Sequence, residues 1–145
     1  MNIDIFNGDA DGICALIQLR LAYPAEAQLI TGVKRDIGLL KKVTAQSGDQ
    51  LTVLDISLNT NREALLNLLN NQITIFYADH HYCDDIPQHP ALTTLIDTNS
   101  NICTSVLVNT HVQYRFPEWA IVGAFGDNLA DSAHRLAKHL CLTTV

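Results

Sequence analysis

Four short apolar runs, residues 2–6, 28–33, 51–56 and 73–78, recur along the chain with helix-length segments between them. This alternation is the strongest constraint on the fold. A strand followed by a helix and a second strand closes as a parallel pair with a right-handed crossover. A fifth run, residues 92–96, extends the series, and helices are expected from about Ile102, from Pro117 and over residues 131–140. The expectation is an α/β fold, a parallel-type sheet of about five strands flanked by helices, in one domain over residues 1–145.

Local signals refine the helices. Residues 12–22 are apolar on most sides, as a helix packed between layers would be. Asp36 can cap a helix running towards Gln46, with Gly48 beyond its end. Thr60-Asn61-Arg62-Glu63 has the capping-box pattern and precedes Leu65, Leu66, Leu68 and Leu69. Hydrophobic residues make up 48% and charged ones 17%, which excludes a disordered chain. No apolar stretch reaches the ~18 residues of a membrane span, and no basic-then-apolar leader opens the sequence. Cys14, Cys83, Cys103 and Cys141 form no C-x-x-C pair, so free thiols and a cytoplasmic location without a membrane are expected.

The acids are placed more tellingly than they are numerous. The first strand runs into Asn7-Gly8-Asp9-Ala10-Asp11-Gly12, the third ends at Asp55, and the fourth ends at Asp79-His80-His81. In an open parallel sheet the carboxyl ends share one edge, where ligands bind. Singly, each piece has an ordinary reading: an Asp-Gly turn, a helix-capping Asp, two solvated histidines. Together they crowd like charges unless a cation neutralises them. Carboxylates with imidazole suit Mn²⁺, Mg²⁺ or Zn²⁺. An EF-hand fails, because Ile13 and Arg20 stand where oxygen ligands belong. Zinc-finger spacing, a nucleophile elbow, a phosphate-binding P-loop and H-E-x-x-H are all absent from the sequence.

With these residues in place the chain resembles the DHH phosphoesterase family. Asp9-Ala10-Asp11-Gly12 is similar to its first motif, Asp55 to its second, Asp79-His80-His81 to its third and Asp127 after an apolar helix to its fourth. The resemblance implies a phosphohydrolase with two divalent ions, Mn²⁺ first and Mg²⁺ second. Asp55 would bridge them, Asp9 would help hold one, and Asp11, His80 and Asp127 would complete the other. His81 would face the phosphate and Asp79 would orient a histidine. Thr104 or Ser105 would be placed to touch a phosphate. The implied substrates are a phosphorylated small molecule, a short oligonucleotide or polyphosphate, and a homodimer is compatible with the pattern.

The chain departs from the family in two ways. Asn7, a neutral and weaker donor, stands where members carry histidine or aspartate. The family's smaller C-terminal domain, which closes over substrate, has no counterpart by Val145. These departures motivate one alternative, a metal- or nucleotide-binding domain without activity. Another is a haloacid-dehalogenase-like phosphatase with Asp9 as nucleophile and Gly126-Asp127-Asn128-Leu129-Ala130-Asp131 as its second acidic element. That alternative leaves Asp55 and Asp79-His80-His81 without a role. Lys34, Arg35, Lys41 and Lys42 form a basic patch, read either as a solvated helix face or as a track for phosphates. The chain carries 15 acids against 9 bases, and setting the four ligand aspartates aside leaves a near-balanced surface.

Overall fold

The computed structural model describes residues 1–138 and 140. Five strands, β1 (Asn2–Asn7), β2 (Gln28–Gly32), β3 (Gln50–Leu54), β4 (Thr74–Asp79) and β5 (Leu92–Ile96), form one sheet in the order β2-β1-β3-β4-β5, every pair parallel. Five helices accompany them: α1 (Ala10–Ala22), α2 (Leu58–Asn70), α3 (Thr104–His111), α4 (Pro117–Gly126) and α5 (Ala130–Ala137). The expected α/β architecture is the observed one.

Alternation along the strands divides the core between the two faces. Ile3, Ile5, Leu51, Val53, Ile75 and Tyr77 point to one face, where Leu58, Leu65, Leu68 and Leu69 of α2 cover them. Phe6, Leu54 and Ala78 point to the other and meet Ala15, Leu16 and Leu19 of α1 and Val108 of α3. Asp4 shares this second face. It is buried, and both its oxygens pair with Arg20 of α1, so this acid is structural and remote from the strand ends. A smaller cluster of Cys103, Ala124 and Ala133 joins α4 and α5 to the start of α3.

Three local expectations are corrected. No helix runs from Asp36 to Gln46; a single 3-10 turn, Leu39–Lys42, stands there. Asn61 of α2 explains it. Its Oδ1 accepts from the Leu40 amide at 3.3 Å and its Nδ2 donates to the Ile37 carbonyl at 2.7 Å, so these groups find partners outside any helix ladder. Leu39 and Leu40 are thereby pinned into the core. Next, α2 begins at Leu58, with the Ser57 hydroxyl accepting from the Thr60 amide, so Thr60 lies inside the helix and does not cap it. Finally, α5 ends at Ala137, and His139 and Cys141 lie outside the described residues. Cys14, Cys83 and Cys103 are free thiols. No helix among the described residues is long and apolar enough to cross a membrane.

Candidate metal centre

The strand order reverses direction between β1 and β3. From β1 the chain moves outward to β2, then returns to place β3 on the opposite side of β1. The carboxyl ends of β1 and β3 therefore diverge into helices on opposite faces and leave a crevice between them. The cleft there has a volume of about 230 Å³. Asn7, Asp9, Asp55, His80, His81 and Asp127 line it, with Lys34, Asp36 and Ile37.

Each acid reaches the crevice by a different local device. Asp9 is the N-cap of α1, its Oδ1 accepting from the Asp11 amide at 3.1 Å and the Gly12 amide at 3.2 Å. A Cβ at Gly12 would run into the Asn7 carbonyl, so glycine allows α1 to start hard against β1. Asp55 has φ 59°, a left-handed conformation that aspartate tolerates better than most residues and that turns the chain sharply off β3. Asp127 caps the carboxyl end of α4. Asn128 follows at φ 60°, its amide donating to the Phe125 carbonyl and that of Leu129 to the Ala124 carbonyl. These paired bonds make a Schellman stop, which leaves Asp127 at the cleft.

Asp11 has a second task. Its oxygens accept from the Thr104 amide at 2.8 Å and the Ser105 amide at 2.7 Å, at the start of α3. A carboxylate at a helix N-terminus is favoured by the dipole and by these unsatisfied amides. The Thr104 hydroxyl donates to Asp55 at 3.1 Å. Thr104 and Ser105 are fully buried, the Thr104 hydroxyl turned onto Asp55 and the Ser105 hydroxyl onto the Cys103 thiol.

His80 Nε2 is the point of convergence. It lies 3.4 Å from Asp55, 3.5 Å from Asp127 and 3.8 Å from Asp11. Two groups of ligand atoms lie within 4.8 Å of one another: Asp55, His80 and His81, and Asp11, His80 and Asp127. Asp9 lines the same cleft but belongs to neither group. Asp79 Oδ1 accepts from His81 Nδ1 at 2.6 Å and from the His80 amide at 2.9 Å. The histidine that Asp79 orients is therefore His81.

The electrostatics record the crowding. Burial pushes the Asp55 carboxyl up to about 7; His80 pulls it down, and the charges of Asp11 and Asp9 push it up. Burial lowers the His80 imidazole, but Asp55 first, then Asp11 and Asp127, raise it to about 9. Asp79 raises His81 against its burial. Burial would raise Asp9, yet the Gly12 amide and then Lys34 hold it below the ordinary carboxylate range.

The donor set fits a divalent cation. Three carboxylates and an imidazole meet at one point, and burial, with the charges of Asp11 and Asp9, pushes Asp55 towards its neutral form. Asn7 Oδ1 and Asp79 Oδ2 are buried oxygens without a hydrogen-bond partner among the described residues. Mixed carboxylate and imidazole ligation suits Mn²⁺ better than Mg²⁺. Asp131, which the dehalogenase-like alternative requires, is exposed in the first turn of α5 and does not line the cleft. Of the basic patch, Lys34 alone reaches the cleft: its Nζ lies 3.2 Å from Asp9 and 3.9 Å from Asp127. Lys42 pairs with Asp36.

Two solved structures share this fold. The crystal structure of exonuclease RecJ bound to manganese matches with a TM-score of 0.61 and 19% identity, over 94% of this chain and 42% of that one. RecJ from Thermus thermophilus, in complex with Mn²⁺, matches with a TM-score of 0.57 and 17% identity, over 93% of this chain and 24% of that one. The chain thus spans less than half the length of either. No protein-family model matches the sequence, and no curated protein matches it.

Proposed function

We propose that this chain is the catalytic domain of a DHH-type, metal-dependent phosphoesterase that hydrolyses a phosphodiester or phosphoanhydride bond. One observation carries the reading: Asp11, Asp55 and Asp127 come from three separate parts of the chain and meet within 4 Å of His80 Nε2 at the sheet's switch point. The fold shared with manganese-bound RecJ exonucleases supports it. The substrates it fits are nucleic-acid ends, short oligonucleotides, nucleotides and polyphosphate.

Two divalent ions, manganese before magnesium, would be held by Asp11, His80 and Asp127 and by Asp55 with Asp9, His81 being left to face the phosphate. Bound there, such ions supply an acidified water and positive charge for the oxygens of phosphorus. The remaining work falls to the chain itself. Asp79 accepts the Nδ1 proton of His81, which fixes the ring and leaves Nε2 for the cleft. The imidazolium favoured by Asp79 can neutralise a phosphate oxygen and give its Nε2 proton to the departing oxygen. The Thr104 hydroxyl holds Asp55, and Asp11 locks α3 beneath the site.

The test is hydrolysis by the Mn²⁺-loaded protein of a p-nitrophenyl phosphodiester, a short single-stranded oligonucleotide and polyphosphate, with Asp55→Asn alongside. Product from at least one substrate, lost with chelator and in the variant, supports the reading. No product from any of the three, or equal product from the variant, overturns it.

A further inference from the structure

The centre already holds a cation supplied by the chain. Lys34 follows the end of β2 by two residues, and its ammonium spans Asp9 and Asp127 at 3.2 and 3.9 Å. Among the described residues, no other lysine or arginine lies within 4.0 Å of Asp9, Asp11, Asp55 or Asp127.

Three further features point the same way. Both candidate ligand groups use His80, whose Nε2 faces Asp11, Asp55 and Asp127 alike, and one nitrogen lone pair binds one ion. Asp9 enters neither group: its Oδ1 serves the Asp11 and Gly12 amides, and its Oδ2 faces Lys34. Beside Asp9, Asn7 offers only a neutral amide oxygen, buried and without a hydrogen-bond partner among the described residues. The Asp9 side is therefore poorer in anionic donors than the His80 side, and an ammonium stands against its main carboxylate.

Resting on the metal reading above, we infer that Lys34 is the second cation of this centre, its ammonium held against Asp9 and Asp127 in place of one divalent ion. The chain then loads one ion tightly around His80, and a second ion enters only by displacing Lys34. Displacement is open to it, because the lysine side chain is 67% exposed while Asp9 and Asp127 are 20% and 21% exposed. An ammonium has three N–H donors. Ion-paired with two carboxylates at 3.2 and 3.9 Å, it keeps donor capacity for an anionic oxygen of the substrate.

The test measures binding, with free Mn²⁺ followed by electron paramagnetic resonance at fixed pH and salt. Wild type, Lys34→Gln and Lys34→Arg are titrated, with thermal melts checking that each is folded. In wild type the expected result is one tight ion and a second weaker by about tenfold or more. Lys34→Gln tightens the second ion by about tenfold and leaves the first within about twofold, while Lys34→Arg keeps the wild-type isotherm. Two equally tight ions in wild type, or an isotherm unchanged in Lys34→Gln, would overturn the inference and leave the metal reading standing. No Mn²⁺ bound by any of the three would overturn both.

Discussion

His80 Nε2 lies 3.4 Å from Asp55 Oδ1, across the carboxyl ends of the paired strands β3 and β4. Without a metal, this pair retains protons that a divalent ion must expel: Asp55 titrates at about 7 and His80 at about 9. Apparent Mn²⁺ affinity should therefore rise with pH, most steeply below about 7, more gently to about 9, and level off above. Each proton released adds about tenfold per pH unit. Titrations from about pH 6 to 10 check this, and a flat profile would contradict it.

The same two groups set the stability of the metal-free protein. Both folded pKa values lie above the ordinary ones, 3.8 for Asp55 and 6.5 for His80. The Asp55 contribution is complete below 3.8 and lost as pH rises through about 7; the His80 contribution is complete below 6.5 and lost through about 9. Metal-free protein should lose melting temperature across about pH 4–9, and saturating Mn²⁺ should restore it at the alkaline end. Asp55→Asn should flatten the first part of the decline, because asparagine accepts the φ of 59° and carries no charge. In metal-free protein at about pH 8 it should gain on the order of 2 kcal/mol, and it should lose Mn²⁺ affinity by about 100-fold or more.

Asp11 and Asp127 both approach His80, yet only Asp11 anchors a helix. Asp11→Ala should destabilise metal-free protein by about 3 kcal/mol, since two buried amides lose a charged acceptor. Asp127→Asn, at a half-buried helix end, should cost less than about 1 kcal/mol. Denaturant unfolding of both variants in chelator distinguishes an anchor from a dedicated ligand. Equal losses would contradict the assignment.

In the proposed mechanism Asp79 acts through His81, which it bonds at Nδ1. Asp79→Asn removes the charge that raises the imidazole, so the His81 pKa should fall towards 6.5. The basic limb of the kcat profile should move to lower pH. Where His81 is charged in both proteins, kcat should change by about tenfold or less, smaller than the roughly 10²–10⁴-fold expected for loss of a general acid. An unmoved limb would contradict the orienting role.

Much of the fold and the centre is legible in the sequence, for identifiable reasons. A strand buried on both faces reads as a short apolar run, and an acid that ends one is conspicuous, as at Asp55 and Asp79. The sheet's parallel order then brings those ends together. The segment after β2 departs from its local pattern. Asp36 and Gly48 carry the signals of a helix start and stop, while the bonds that override them come from Asn61, more than twenty residues from Leu40 and Ile37. The surroundings of Thr104 and Ser105 are hidden for a similar reason: the Asp11 that receives their amides lies 93 and 94 residues earlier. Lys34 reads only as part of a basic patch, since its place between Asp9 and Asp127 depends on where β2 sits in the sheet. Asn128 carries a local signal that the sequence reading missed, as asparagine after a helix end favours the left-handed stop that delivers Asp127.

The central claim is that these side chains hold a divalent ion at His80. Anomalous diffraction at the manganese edge, from crystals grown with MnCl₂ at about pH 8, tests it most directly. The account predicts a peak within about 2.5 Å of His80 Nε2, ligated by oxygens of Asp11 and Asp127 with Asp55 beside it. A well-ordered centre with no peak there, or manganese bound only elsewhere on the molecule, would contradict it.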